Sequence, residues 1–166
     1  MKRLYMLCGA MGVGKSATAH ALRDLLPDCA FLDGDWCWDM HPFRVTEVTK
    51  RVVLDNICHV LNSFLTCGAF ENIVFCWVMH RREILDGILA RLDTRGWEVR
   101  PVALACTKEV LAARHQRDVA AGKRDAGSLV RALAYLPLYG ALGVPVLDTS
   151  ACTPAEAAAR IAAMDA

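Results

Sequence analysis

Gly9-Ala10-Met11-Gly12-Val13-Gly14-Lys15-Ser16 is the stretch that decides how this chain folds. Its spacing is G-x-x-x-x-G-K-S, the Walker A pattern of a phosphate-binding loop. An apolar run, Leu4-Tyr5-Met6-Leu7-Cys8, precedes it and a helical pattern follows, the strand–loop–helix setting the motif requires. Gly9, Gly12 and Gly14 let the backbone turn successive N–H groups toward phosphate oxygens, with Ala10, Met11, Val13 and Ala17 as main-chain neighbours in the same loop. The helix behind the loop adds unpaired amides and the positive end of its dipole. Lys15 is placed to reach β- and γ-phosphates, and the Ser16 hydroxyl to ligate Mg²⁺. The stretch predicts a nucleoside triphosphate site.

Working outward, the 166 residues are enough for one domain with a full core. They are 55% hydrophobic and 22% charged, a globular balance, with a formal net charge of only +1. That charge argues against a nucleic-acid-coating surface or a polybasic membrane anchor, but not against a nucleotide-sized anion. Met1-Lys2-Arg3 before an apolar stretch resembles a secretion signal. The glycines of the loop occupy the would-be cleavage region, however, and the apolar run is only strand length. The expectation is a cytoplasmic protein without a membrane span, monomeric or homodimeric. Eight cysteines form no C-x-x-C pair, and the five histidines no metal-binding spacing, so buried reduced thiols and no structural zinc are expected. Cys37, between two tryptophans in a loop, is the exception to watch.

Residues 15–26 read as the first helix, stopped by Pro27, and Ala30-Phe31-Leu32 as a second strand ending at Asp33-Gly34-Asp35. Residues 36–46 show no period and contain Pro42, which predicts a loop or short irregular segment. Val53, Ile57, Val60, Leu61 and Phe64 mark one buried face of a long helix from about Thr46 to Cys67, with Gly68 at its end. Residues 73–78 read as a central parallel strand, 81–94 as a helix ended by Gly96, and 97–106 as a strand weakened in its first half by Pro101. Thr107 caps a helix through Ala121, Ser128 caps a shorter one to Leu136, 144–147 form a last strand, and Thr153-Pro154-Ala155-Glu156 opens the final helix. Strand and helix alternate throughout, without a linker. Residues 1–166 are therefore expected to form a single α/β domain with a parallel sheet, its phosphate site at the carboxyl end of the first strand.

Three features bear on the chemistry. Asp33-Gly34-Asp35 falls from an apolar strand into two carboxylates at the sheet edge the phosphate loop shares. One carboxylate can serve the metal and the other accept a proton from an acceptor hydroxyl; Asp35 is assigned as the base and Asp33 to the metal, an order the sequence leaves open. Arg114 and Arg117 share a helix face and Arg124 follows in a glycine-flanked loop, so the segment 107–127 reads as an arginine-bearing lid over the transferring phosphoryl group. Asp148-Thr149-Ser150, after the last strand, either wraps the base of the nucleotide or caps the final helix.

On these residues (Gly9–Ser16, Leu32-Asp33-Gly34-Asp35 and Arg114 to Arg124) the chain resembles the short P-loop kinases of small molecules, which act on shikimate, gluconate, adenylyl-sulfate, chloramphenicol or nucleoside monophosphates. The resemblance implies a three-layer P-loop NTPase fold with a five-stranded parallel sheet in the order 2-3-1-4-5, helices on both faces, Mg-ATP as donor and an acceptor held over residues 35–60. It departs from those families at Cys76-Trp77-Val78-Met79-His80, which offers no Walker B aspartate, and at Trp36-Cys37-Trp38-Asp39, which matches no acceptor motif.

The acceptor side is therefore read from the residues themselves. Trp36, Trp38, His41, Phe43 and Arg44 follow the proposed base, and the two tryptophans either line a flat or apolar pocket or fasten the loop to the core. His80, Arg81 and Arg82 follow the third strand at the same edge of the sheet; one of them can meet an anionic group, while Arg81 or Arg82 can equally stand in solvent at the first turn of a helix. The expected activity is transfer of the ATP γ-phosphate to a hydroxyl of a metabolite, nucleotide or antibiotic. The alternative is a regulatory NTPase switch; a polynucleotide end kinase fits the near-zero charge less well.

Overall fold

The computed structural model describes residues 1–123, 125 and 127–164. Five strands, β1 (Lys2–Gly9), β2 (Cys29–Asp33), β3 (Asn72–Cys76), β4 (Trp97–Ala105) and β5 (Val146–Asp148), form one sheet in the order β2-β3-β1-β4-β5, and all paired neighbours run parallel. The helices are α1 (Lys15–Leu25), α2 (Glu47–Thr66), α3 (Arg82–Leu89), α4 (Lys108–Ala120), α5 (Ser128–Tyr135) and α6 (Pro154–Ala162), with short 3₁₀ helices at Gly34–Trp38 and Leu136–Ala141.

β1 is apolar on both sides because it is covered on both. Its alternating side chains feed two cores. Leu4, Met6 and Cys8 pack with Val53, Ile57 and Leu61 of α2 and with Leu85 and Ile88 of α3. Tyr5 and Leu7 pack with Ala19 and Leu22 of α1, Leu111 of α4, and Ala157 and Ile161 of α6. The sheet thus lies between two helical layers, and the carboxyl ends of β1, β2 and β3 come to one edge.

The ends of the elements are mostly the expected ones. Thr46 and Thr49 exchange hydrogen bonds in a capping box that starts α2, and Thr153 and Glu156 do the same for α6. Thr107 accepts from the Val110 N–H at the start of α4. Four expectations need correction. The helix set at 81–94 stops at Leu89, because Asn62 of α2 holds the next backbone groups, donating to the Arg91 carbonyl at 2.9 Å and accepting from the Asp93 N–H at 2.8 Å. Pro101 does not weaken β4, which runs unbroken from Trp97. β5 pairs only with Ala103 to Ala105, and alternation from the Ala103 N–H, which donates toward β5, turns the proline nitrogen to the open side. Ser128 is not a cap: the N-cap of α5 is Gly127, without a side-chain cap, and the Ser128 hydroxyl donates to the Asp125 carbonyl at 2.7 Å. The strand expected over 73–78 ends at Cys76. The segment 36–46 opens in the 3₁₀ helix that Asp33 caps.

All eight cysteines are free thiols. Burial pushes the Cys8 thiol up to about 12 and the Cys29 thiol up to about 11, so both stay protonated near neutrality. Cys37 also packs against the core, and burial, with the Asp33 carboxylate next in effect, raises its pKa. Among the described residues no helix is long and apolar enough to cross a membrane.

Candidate active site

The phosphate loop is shaped by its main chain. Gly12 and Gly14 take φ of 87° and 100°, the left-handed region that a side chain disfavours. Gly14 is also the N-cap of α1, and no side chain caps that helix. The first amides of α1 at Lys15, Ser16 and Ala17 therefore remain available to an anion. Gly9 ends β1, and the buried Ala10 accepts from the Val13 N–H at 3.2 Å to close the turn.

In front of this loop lies a cavity of about 570 Å³, lined by Gly12, Gly14, Lys15, Ser16 and Ala17 on one side and by Arg114, Arg117, Asp118 and Lys123 on the other. Lys15 is buried at its edge. A cavity with a helix N-terminus and four basic side chains suits a triphosphate.

Arg114 differs from the free lid arginine expected from the sequence. Its guanidinium donates to the Val13 carbonyl at 2.9 Å, the Thr149 hydroxyl at 3.1 Å and the Thr149 carbonyl at 2.7 Å. It therefore clamps the phosphate loop to the loop after β5, whereas Arg117, exposed on the same helix, lines the cavity without such a clamp among the described residues. Arg124 lies outside the described residues. Lys123, which the sequence reading did not single out, takes a place on the cavity wall.

Asp148, Thr149 and Ser150 do not line that cavity. Thr149 is buried, and its hydroxyl donates within reach of the Val13 and Ala105 carbonyls at 3.3 and 3.1 Å. Asp148 accepts from the Ser150 N–H at 2.8 Å, bonds that hold its carboxyl below the usual range, and Ser150 accepts from the Thr107 N–H at 3.0 Å. The segment braces the phosphate loop, and the cap of the final helix is Thr153.

The two carboxylates after β2 part ways as expected. Asp33 is buried; its Oδ2 accepts from the Ser16 hydroxyl at 2.8 Å and its Oδ1 from the Asp35 N–H at 3.0 Å. One hydroxyl and one carboxylate meeting beside a phosphate cavity suit Mg²⁺, which usually takes one or two protein oxygens and fills its shell with water and phosphate. Among the described residues no group of three or more His, Cys, Asp or Glu is placed to hold a metal ion.

Asp35 is exposed, one residue further along. Its Oδ1 accepts from the indole N–H of Trp77 at 3.1 Å. Trp77 follows β3, where the expected Walker B carboxylate is missing, and it is buried against Gly34. A Cβ at Gly34 would lie 2.5 Å from the Trp77 ring, so the glycine between the two aspartates makes room for the indole that orients the second. The sequence reading gave Trp77 no role. The register of the two strands brings it there: Leu32 and Asp33 pair with Phe75 and Cys76, so Trp77 follows beside the turn that carries Asp35.

Beyond Asp35 opens a second cavity of about 1010 Å³, walled by Trp36, Trp38 and Phe43 on one side and by His80, Ile84 and Tyr135 on another. Asp35 and Met11 line both cavities. The two tryptophans do both of the things proposed for them. Trp38 packs on the core and lies 5.8 Å from Phe43, ring to ring, while Trp36 is 58% exposed and rests edge-on against Phe31. Arg81 also lines this cavity. His41 and Arg44 do not: both are exposed, and the Arg44 carbonyl instead accepts from Thr49 at the start of α2. Lys50 of α2, within the 35–60 region expected to hold the acceptor, lines the cavity, and so does Arg131 of α5, an element not read as acceptor-facing.

His80 stacks on Tyr135 with centroids 4.3 Å apart. Its aim is set by an unusual backbone: Met79, fully buried, holds φ of 29°, while the Tyr139 hydroxyl fixes the Val78 carbonyl at 2.7 Å. Burial, with the Arg81 charge next, lowers the His80 pKa and keeps the ring neutral.

A parallel sheet in this order, with a glycine-rich loop from β1 to α1 and two carboxylates after β2, defines the P-loop NTPase fold. The chain belongs to the AAA domain family, whose model matches residues 6–129. No curated relative matches it. Solved structures of similar fold include the tunicamycin resistance protein of Deinococcus radiodurans, at TM-score 0.71 and 18% identity over 98% of this chain and 95% of that one. A gluconokinase from Sinorhizobium meliloti follows at 0.68 and 22% over 96% and 91%, and a sugar kinase from Janibacter at 0.65 and 19% over 96% and 92%.

Proposed function

We propose that this protein is a small-molecule kinase, which moves the γ-phosphate of Mg-ATP to a hydroxyl of an acceptor. The observation that carries the reading is the position of Asp35 on the wall common to the phosphate cavity and the aromatic cavity. A base is needed at that junction and nowhere else, because the acceptor oxygen attacks phosphorus there. The names of the structural neighbours, two kinases and an antibiotic resistance protein, point the same way.

In this reading the amides of Gly12 to Ala17 and the Lys15 ammonium hold the β- and γ-phosphates. Magnesium, bound at Ser16 and Asp33, would neutralise charge on the phosphate oxygens. Asp35, oriented by Trp77, accepts the proton of the acceptor hydroxyl as its oxygen bonds to phosphorus and the bond to the β-phosphate oxygen breaks. Arg117 and Lys123 face the charge that spreads over the transferred group.

The test is ADP release from Mg-ATP in the presence of pooled metabolites and antibiotics, with Lys15→Ala as the blank. Stimulation by one pool supports the kinase. Slow hydrolysis that no pool stimulates sinks the transfer reading and favours a regulatory switch.

A further inference from the structure

The second cavity is larger than a sugar acid needs. Its volume of about 1010 Å³ is at the top of the range for drug-sized ligands. Besides charged side chains on its wall, Trp36, Trp38, Phe43, Ile84 and Tyr135 supply more flat or apolar surface than a single hexose would cover. Trp36, Phe43 and Val45 are 58%, 66% and 55% exposed at its mouth, so apolar area stands in water beside the proposed base.

The opposite wall is cationic. Tyr135 and Arg131 are four apart on α5 and share a face, His80 stacks on Tyr135, and Arg81 follows His80. Arg81 and Arg131 thus line the same cavity as this aromatic stack. Neither makes an ion pair or side-chain hydrogen bond among the described residues, whereas Lys50 of the same cavity is already paired with Glu47 at 2.8 Å. The cavity's other carboxylate, Asp39, stands on the tryptophan segment, away from α5 in the chain.

We infer that the acceptor is an amphiphilic hydroxyl compound with a flat aromatic or apolar body larger than a hexose, held between Trp36 and Phe43, and with an anionic group met by Arg81 and Arg131. This rests on the kinase reading for the role of the hydroxyl alone. The body and the anion are recognised by binding, which can be measured without turnover.

The experiment is calorimetric titration of the Mg-ADP-saturated protein with three probes: 6-hydroxymethyl-2-naphthoic acid, the uncharged 2-naphthalenemethanol, and gluconate. The acid is expected to bind about tenfold or more tightly than either of the others. In an Arg81→Gln/Arg131→Gln variant, both sites being at the surface, its advantage over the neutral alcohol disappears. In Trp36→Ala/Phe43→Ala both naphthalenes weaken together. Equal binding of the acid and the alcohol overturns the anion; tighter binding of gluconate overturns the flat body; no binding of any probe overturns both. Release of ADP from ATP is followed separately with the same probes. Preference for the acid without stimulated transfer supports this acceptor class and counts against the kinase reading, so the two fail in different ways.

Discussion

The two cavities that meet at Asp35 are made of different material. The phosphate side is built on main chain and buried side chains: Val13, Lys15 and Thr149 are all buried, Arg114 locks two loops together there, and exposed Arg117 and Lys123 close the outer wall. The side proposed for the acceptor carries more exposed side chains, with Trp36, Phe43, Arg81 and Arg131 open to solvent. A site that reads one invariant group, a triphosphate, can be built rigidly into a core. A site for a particular acceptor is written on the surface, where exchanging a residue costs little stability, about 0.5 kcal/mol or less.

That contrast can be broken by experiment. On the phosphate side Lys15→Ala is expected to lower kcat/KM by about 10³-fold with every acceptor, the scale of removing a major charge-stabilising group. Steady-state ADP release checks it, and a loss confined to one acceptor would contradict the division. At the junction, Asp35→Asn should cut kcat by about 10²-fold and leave ATP affinity in place, read by nucleotide titration beside turnover. Transfer at the wild-type rate would mean that another group takes the proton.

Trp77→Phe keeps a ring over Gly34 but removes the N–H that Asp35 accepts. A fall of about tenfold in kcat is expected, with an altered acid limb of the pH–rate profile; a loss of melting temperature alone would mark Trp77 as packing only. Arg114→Lys sharpens the comparison differently. Lysine cannot make the forked contacts to Val13 and Thr149, so stability should drop by about 1–3 kcal/mol, measured by denaturant unfolding.

The smallest effect belongs to His80. Its folded pKa lies below the ordinary histidine value, so the unfolded chain takes up a proton first on acidification. The stability held by the neutral ring is complete above about pH 6.5 and is lost as pH falls through the folded pKa. His80→Gln should therefore narrow the difference in melting temperature between pH 7.5 and 5.5.

How much of this could be read from the sequence follows the same line. The strand order depends on short-range patterns and on a family resemblance, and the observed sheet matches it; Ser16 and Asp33, read as sharing one metal, meet side chain to side chain at 2.8 Å. The helix end at Leu89 was misread because the side chain that stops it, Asn62, belongs to another element. The role of Trp77 was missed for a related reason: a tryptophan at the end of an apolar strand carries the same periodic signal whether it fills a core or holds a carboxylate. Arg114 was taken for a mobile lid group, since an arginine on a polar helix face gives no sign that two carbonyls await it.

The separate origin of the acceptor walls has a consequence for descent. Trp36 and Phe43, Arg81, and Arg131 come from three stretches of chain, and none of these residues belongs to the set buried in either core. Each can be exchanged in a single step without disturbing the loop, the aspartates or the sheet beneath them. A lineage built this way inherits its chemistry as a block and leaves its choice of acceptor open to selection, one codon at a time.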